Sequence, residues 1–138
     1  MNRLLLDTHV WLWYAEGVAG KLSAKNIRTL DRARRSAGLW VSAPSVWEIG
    51  MLEQRGRIRL TLPLRGWVDR ALAAPGIRFL PLDAAAAVES TLLPDPLHAD
   101  PADRFLIAAA RTANLTLVTR DTQILEYGRQ GRVRTLAV

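Results

Sequence analysis

Short, wholly apolar runs alternate with longer helical stretches along the chain, and this alternation limits the folds open to it. A continuous apolar run is typical of a strand buried on both faces. Strands separated by helices favour a parallel sheet with helices on both faces. The predicted strands are residues 4–6, 39–41, 77–82, 115–118 and 133–136. The sequence therefore predicts an α/β fold.

The segments between these runs carry helix-start and helix-stop signals, such as Ser23 and Asp83 as caps and Pro101 at a first helical position. Residues 57–60 are predicted to be extended, and residues 94–101, with their prolines, to form a loop. The predicted helices cover residues 9–16, 23–33, 42–56, 64–74, 83–92 and 101–113, with a short last helix before the final strand.

The chain has 138 residues, 49% of them apolar, which fits one domain over residues 1–138 with a substantial core. It has no cysteine, so disulfides, thiolate metal sites and cysteine nucleophiles are excluded. The N-terminus reaches an acid at Asp7 without the pattern of a signal peptide, and no apolar run approaches the roughly 20 residues that cross a bilayer. We therefore expect a cytoplasmic protein with no membrane partner.

The net charge of +6 comes almost wholly from arginine, since Lys21 and Lys25 are the only lysines. Arginine presents a planar fork suited to phosphates, so the charge favours an anionic partner, with nucleic acid first. Solubility, or a coding bias towards arginine, explains the same charge equally well.

Four acids are predicted to lie at one edge of the sheet, where parallel α/β folds place their sites. Asp7 directly follows the first strand, Glu48 lies in the helix after the second, and Asp121 follows the fourth. Asp103 lies in the first turn of the helix that precedes the fourth strand, so it must reach this edge from a helix start and not from the end of a strand.

Helix capping is the alternative for each acid. Asp7 and Asp121 could be plain N-caps. The sequences Ser45-Val-Trp-Glu48 and Asp100-Pro-Ala-Asp103 both match a capping box.

Several carboxylates in a small site raise one another's pKa unless a cation balances them. Mg²⁺ and Mn²⁺ accept oxygen ligands, and one or two such ions could activate water against a phosphodiester. In this hypothesis Asp7 anchors the main ion, Glu48 and Asp103 complete its shell, and Asp121 binds a second ion or orients water. Thr119 either hydrogen-bonds to a metal ligand or to water, or is an ordinary strand threonine.

Four ordered blocks of the sequence resemble the PIN-domain family, and within it the VapC-type toxins of toxin–antitoxin pairs. They cover nearly the whole chain, and the ordered set is more specific than any one block. The blocks are Asp7-Thr-His-Val-Trp-Leu-Trp, Val41-Ser-Ala-Pro-Ser-Val-Trp-Glu48-Ile, His98-Ala-Asp-Pro-Ala-Asp103-Arg-Phe-Leu-Ile-Ala-Ala and Leu117-Val-Thr-Arg-Asp121.

The resemblance implies a central parallel sheet of about five strands and RNA cleavage dependent on Mg²⁺ or Mn²⁺. It implies a homodimer neutralised by a small cognate antitoxin, and it assigns catalysis and metal binding to Asp7, Glu48, Asp103 and Asp121. Where the family often has an aromatic residue in the third block, this chain has Ala102, so we expect different local packing there. Asp100 is either a fifth, outer carboxylate or a helix cap.

The remaining polar and aromatic features each have two interpretations. His9 and His98 either contact metal or substrate, or hydrogen-bond within loops. Three arginines either contact RNA phosphates or the antitoxin, or they form a solvated basic edge. Three tryptophans either stack on bases, or they belong to the core or to a dimer interface. These residues are Arg55, Arg57, Arg59, Trp11, Trp13 and Trp47.

Three other classes of protein compete with a metal nuclease. A phospho-receiver domain needs a lysine near its late strands, and this chain has none there. A nucleotide-binding Rossmann domain needs a glycine-rich fingerprint after its first strand, and this chain lacks that fingerprint too. A non-catalytic RNA- or antitoxin-binding module of the same fold is the third, and the presence of all four acids argues against it.

Overall fold

A computed structural model describes residues 3–94, 97 and 100–138 of the chain. Five strands form one parallel sheet in the order β3-β2-β1-β4-β5. The strands are β1 (Leu4–Leu6), β2 (Leu39–Ser42), β3 (Ile77–Leu80), β4 (Thr116–Thr119) and β5 (Thr135–Ala137). The helices of the described residues are α1 (Thr8–Glu16), α2 (Ala24–Arg35), α3 (Ala43–Gln54), α4 (Leu64–Ala73), α5 (Ala84–Leu92), α6 (Pro101–Thr112) and α7 (Thr122–Arg129). The predicted α/β fold and the parallel sheet of five strands are confirmed.

Strand β1 lies at the centre of the sheet and is buried on both faces. Leu5 packs in a core cluster with side chains of α5, α6 and α7, and Leu4 and Leu6 pack in a second cluster with side chains of α1 to α4. Successive side chains of a strand point to opposite faces. A wholly apolar strand is therefore what a sheet covered by helices on both sides requires, as predicted.

Two predicted extended segments differ from the structure. Strand β3 ends at Leu80, because Pro81 has no N–H to continue the ladder of hydrogen bonds. Residues 57–60 were predicted to be extended but pair with no strand of the sheet; Ile58 and Leu60 instead pack their side chains against the cluster of α1 to α4. The predicted loop of residues 94–101 lies partly outside the described residues.

No described helix is both long enough and apolar enough to cross a membrane.

Candidate active site

The strand order places a crevice at the carboxyl edge of the sheet, beside β1. The connection from β1 leads to β2 on one side, whereas β4 pairs with β1 on the other, so the order reverses here. Ligands of parallel α/β sheets bind at such a switch point. Asp7 follows β1 and Asp121 follows β4, so both acids flank this crevice. The order also differs from the 2-1-3-4-5 order of phospho-receiver domains.

The Asp7 carboxylate is held at both oxygens. Oδ1 accepts from the backbone N of Thr8 at 2.7 Å, and Oδ2 accepts from the Thr119 hydroxyl at 2.6 Å. Asp7 is therefore the N-cap of α1, and it is also tied to the end of β4. Burial raises the pKa of Asp7 above its usual value, although both hydrogen bonds act in the opposite direction.

Thr119 connects two of the acids. Its hydroxyl donates to Asp7 and accepts from the backbone N of Asp121 at 3.0 Å. Asp121 caps α7 through Oδ1, which accepts from the backbone N of Ile124 at 3.0 Å. Thr119 is fully buried, and its hydroxyl bonds to Asp7, the acid that the sequence analysis predicts as the anchor of the metal.

Glu48 does not belong to a capping box. Helix α3 follows β2 without a loop and begins at Ala43, so Ser45 is already inside the helix and Glu48 lies in its second turn. Oε1 of Glu48 accepts from the Thr8 hydroxyl at 2.5 Å, and that hydroxyl also lies 3.0 Å from the Ser45 hydroxyl. The capping interpretation of Glu48 is wrong, and the side chain points towards α1 and Asp7.

Asp103 joins the same group of charges from the start of α6. Asp100 is the cap of that helix, with Oδ1 accepting from the backbone N of Asp103 at 2.9 Å. The Asp103 carboxyl itself has no hydrogen bond among the described residues, so only half of the predicted capping box is present. Burial, followed by the charges of its neighbours, raises the pKa of Asp103 to about 7. Those neighbours are Asp100, Asp7, Glu48 and Asp121.

The charges of Asp7 and Asp100 also raise the pKa of Glu48, after the larger effect of burial. The structure therefore brings together all four acids predicted from the sequence, including Asp103. His9 is exposed and close enough that its charge lowers the pKa of both Asp7 and Glu48.

Thr8 and Ser45 were not identified from the sequence as parts of the site. Both hydroxyls are buried, each 1% exposed, and together they position Glu48. A threonine at the first position of a mostly apolar helix, directly after an acid, is a signal that could have indicated the role of Thr8.

The tryptophans, arginines and second histidine considered in the sequence analysis differ in burial and in position. Trp11 is buried and packs edge-on against Trp67 with the ring centroids 5.0 Å apart, so it belongs to the core and cannot stack bases. Trp47 is 57% exposed, and Trp13 is half-buried. Arg55, Arg57 and Arg59 are exposed beyond the end of α3, and His98 lies outside the described residues.

Among the described residues, no three acidic or histidine side chains stand close enough together to enclose one ion. Mg²⁺ needs fewer protein ligands than that, because it retains several waters and binds one or two carboxylates. The donor set suits such an ion, because it consists of carboxylate oxygens that repel one another and includes one, at Asp103, without a hydrogen bond.

Comparisons with known proteins agree with this architecture. The family model of the PIN domain matches residues 4–130. The ribonuclease VapC22 of Mycobacterium tuberculosis is 30% identical over 127 residues, which cover 92% of this chain and 93% of VapC22.

Among solved structures, VapBC2 of Rickettsia felis bound to a promoter DNA fragment matches with a TM-score of 0.70 at 14% identity, over 97% of both chains. The sarcin–ricin loop cleaving toxin VapC20 of Mycobacterium tuberculosis matches with a TM-score of 0.61 at 17% identity, over 91% of this chain and 95% of that one. At these identities, the likeness to solved structures shows the fold.

Proposed function

Because this chain belongs to the PIN-domain family, and within it to the VapC-type ribonuclease toxins, we propose that it hydrolyses RNA phosphodiester bonds with Mg²⁺ or Mn²⁺. The observation that carries the proposal is the convergence of Asp7, Glu48, Asp103 and Asp121 at the switch point of the sheet. Burial first, and then the charges of the neighbouring acids, raises the pKa of Asp103, and a divalent cation would relieve both effects.

The hydrogen bonds of the four acids suggest a different role in metal binding for each of them. Asp7 is the anchor of the metal in this proposal, because both of its oxygens are already oriented by hydrogen bonds. Glu48 is held on the α1 side by Thr8. Asp103 approaches from α6, and its carboxyl has no hydrogen-bond partner in the part of the chain that the structure describes. Asp121 is tied through Thr119 to Asp7 and orients water or binds a second ion.

A divalent ion held there would activate water and balance the charge that develops on the phosphate and the leaving oxygen. The surrounding hydroxyls contribute by restricting the carboxylates. Thr8 and Thr119 are both buried, and each donates to one acid, so the site is preorganised on rigid elements of the sheet edge.

The partners in this proposal are an RNA substrate, a cognate antitoxin and a second copy of the chain. An antitoxin is supported by the VapBC complexes among the structural neighbours. A homodimer is supported by an apolar groove beside the acids, with a volume of about 580 Å³. Its lining consists of Ala43, Pro44, Trp47, Leu82, Pro101, Ala102 and Phe105.

Cleavage of structured RNA by metal-stripped protein, with and without added Mg²⁺ or Mn²⁺, tests the proposal. We expect cleavage only with metal, and a loss of at least about 100-fold in Asp7→Asn, because the substitution removes the anchoring charge. Asp69→Asn is the matched control, since this exposed carboxylate lies on α4, away from the four acids. Cleavage that persists in chelator, or that survives in Asp7→Asn, contradicts the proposal. RNA binding without cleavage would favour a non-catalytic module.

A further inference from the structure

Three basic side chains surround the indole of Trp13, and we call this group the Trp13 cluster. The Arg120 guanidinium carbon lies 4.6 Å from the ring centroid of Trp13, and Lys21 Nζ lies 5.6 Å from it. The His9 ring is tilted against the indole with the centroids 5.9 Å apart. Cations at these distances are attracted to the face of an indole.

The cluster lies at the same edge of the sheet as the four acids. Arg120 stands between Thr119, the last residue of β4, and Asp121, the cap of α7. It also donates from Nε to the carbonyl of Val138 at 3.0 Å and from a terminal nitrogen to the carbonyl of Lys21. The exposed loop that carries Lys21 is thereby held against Arg120, which directly precedes Asp121, and His9 lies two residues after Asp7.

The positive charge of the cluster is not neutralised within the described residues. Lys21 and Arg120 are exposed, and neither forms an ion pair there. The described ion pairs of the chain are Arg111–Glu89 and Arg129–Glu126. Two cations thus remain open to solvent beside a group of acids, which is an arrangement suited to a polyanion that passes over both.

The opposite flank of the acids has different chemistry. Among the described residues, those that line the groove of Trp47, Leu82 and Phe105 include no basic side chain. A strand of nucleic acid gains phosphate contacts only on the flank that carries basic groups, and these contacts supply most of its affinity.

We propose that the Trp13 cluster binds backbone phosphates of the RNA next to the scissile bond, so that the strand leaves the acids across α1 and the start of α7. This inference rests on the proposed ribonuclease function and names the path of its substrate. Lys21 and Arg120 take the phosphates, and Trp13 holds the two cations in place.

Lys21→Gln is the main test, because the Lys21 ammonium contacts only the indole among the described residues. For single-stranded RNA, the logarithm of the binding constant falls linearly with the logarithm of the salt concentration, and we call this gradient the salt slope. Loss of one phosphate contact makes the salt slope shallower by about 0.7, which corresponds to about five-fold weaker binding at 0.1 M salt. We therefore expect KM for RNA cleavage to rise about five-fold, kcat to stay unchanged, and the dependence of KM on salt to become shallower. Arg35→Gln, an exposed cation at the other end of α2, is the matched control and should change neither constant.

Arg120→Gln serves as a second variant, and its melting temperature is measured because its guanidinium also holds two backbone carbonyls. Lys21→Gln with an unchanged KM and salt slope, or an equal effect in Arg35→Gln, overturns the inference. So does a loss confined to kcat.

Binding of a short fluorescein-labelled single-stranded RNA in chelator, measured by anisotropy, makes the same comparison without cleavage. A wild-type protein that binds this RNA but does not cleave any RNA with metal contradicts the proposed function alone. A weaker Kd in Lys21→Gln would still support the cluster.

Discussion

At the scale of single residues, the four acids differ in how firmly the protein holds them. Asp7, Glu48 and Asp121 each accept at least one hydrogen bond, whereas the Asp103 carboxyl accepts none among the described residues. Hydrogen bonds favour the ionised form and burial opposes it. Asp103 is therefore the acid whose charge is most costly in the metal-free protein, and this agrees with its pKa of about 7.

The stability of the metal-free protein should therefore depend on pH through Asp103. The pKa is raised from 3.8 in the unfolded chain to about 7 in the folded one. Between these values the folded state holds a proton that the unfolded state has released, so the free energy of unfolding falls as pH rises and levels off above about pH 7. Asp103→Asn should abolish this loss and be more stable than wild type at pH 8, by on the order of 1–2 kcal/mol once solvent screening of this part-exposed carboxyl is taken into account.

Urea denaturation in chelator at a series of pH values measures this difference, which should vanish near pH 4. Asp69→Asn should follow the wild-type curve throughout. If Asp103→Asn were instead much less stable at pH 8, Asp103 would be a structural helix-start residue and not a strained site acid.

At the scale of elements, the junctions between strands and helices decide where the functional side chains point. Strand β2 passes into α3 with no intervening loop, and this places Glu48 one turn further into the helix than a capping box would. Another junction, from α4 to β3, packs against α2: Arg34 Nε donates to the carbonyl of Pro75 at 2.6 Å. The turn that allows this contact contains Gly76, with a φ of +81°.

Gly76→Ala should disrupt that junction. A Cβ at this position would stand 2.1 Å from the backbone carbonyl oxygen of Arg34, and the positive φ is itself unfavourable for alanine. We expect a loss of about 3 kcal/mol in the free energy of unfolding, from the combined strain and overpacking. Gly66→Ala in α4 is the control, because its Cβ would meet no atom within 4 Å and alanine favours a helix by up to about 1 kcal/mol. Equal stability of the two variants would show that the junction can relax.

At the scale of the whole molecule, the surface around the acids has two unlike flanks. The Trp13 cluster is basic, and the groove on the other flank exposes Trp47 and Leu82, at 57% and 41%. Contiguous exposed apolar surface in a soluble protein marks an interaction site. A second copy of the chain is the partner that we propose for the groove, since twofold dimers pair one patch with itself.

Trp47→Glu should therefore convert a dimer into a monomer, because the charge would be buried at the proposed interface. Light scattering coupled to size-exclusion chromatography measures the mass directly. Ile27→Glu, a comparable change at a side chain that is 39% exposed on α2, should leave the dimer intact. A wild-type protein that is monomeric at micromolar concentration, or a Trp47→Glu variant that remains dimeric, contradicts this assignment.

The sequence by itself determined the class of fold and the edge at which the acids gather. Apolar runs such as 4–6 and helix caps such as Asp83 and Asp100 are local signals, and the structure uses them almost where they were predicted. Because the strands of such a sheet run parallel, their carboxyl ends lie at the same edge. The sequence therefore predicts that Asp7, after β1, and Asp121, after β4, both lie at this edge.

Only the tertiary structure decided how the acids are held and what flanks them. The hydrogen bonds from Thr8 to Glu48 and from Thr119 to Asp7 join residues far apart in the chain, and no local pattern contains them. The same holds for Asp103, whose pKa depends on burial and on charges that include those of Asp7, Glu48 and Asp121 from three other segments. It also holds for Trp13, which Lys21 reaches from the loop after α1 and Arg120 reaches from the end of β4. These features depend on the packing of elements against one another, which periodicity and capping signals do not specify.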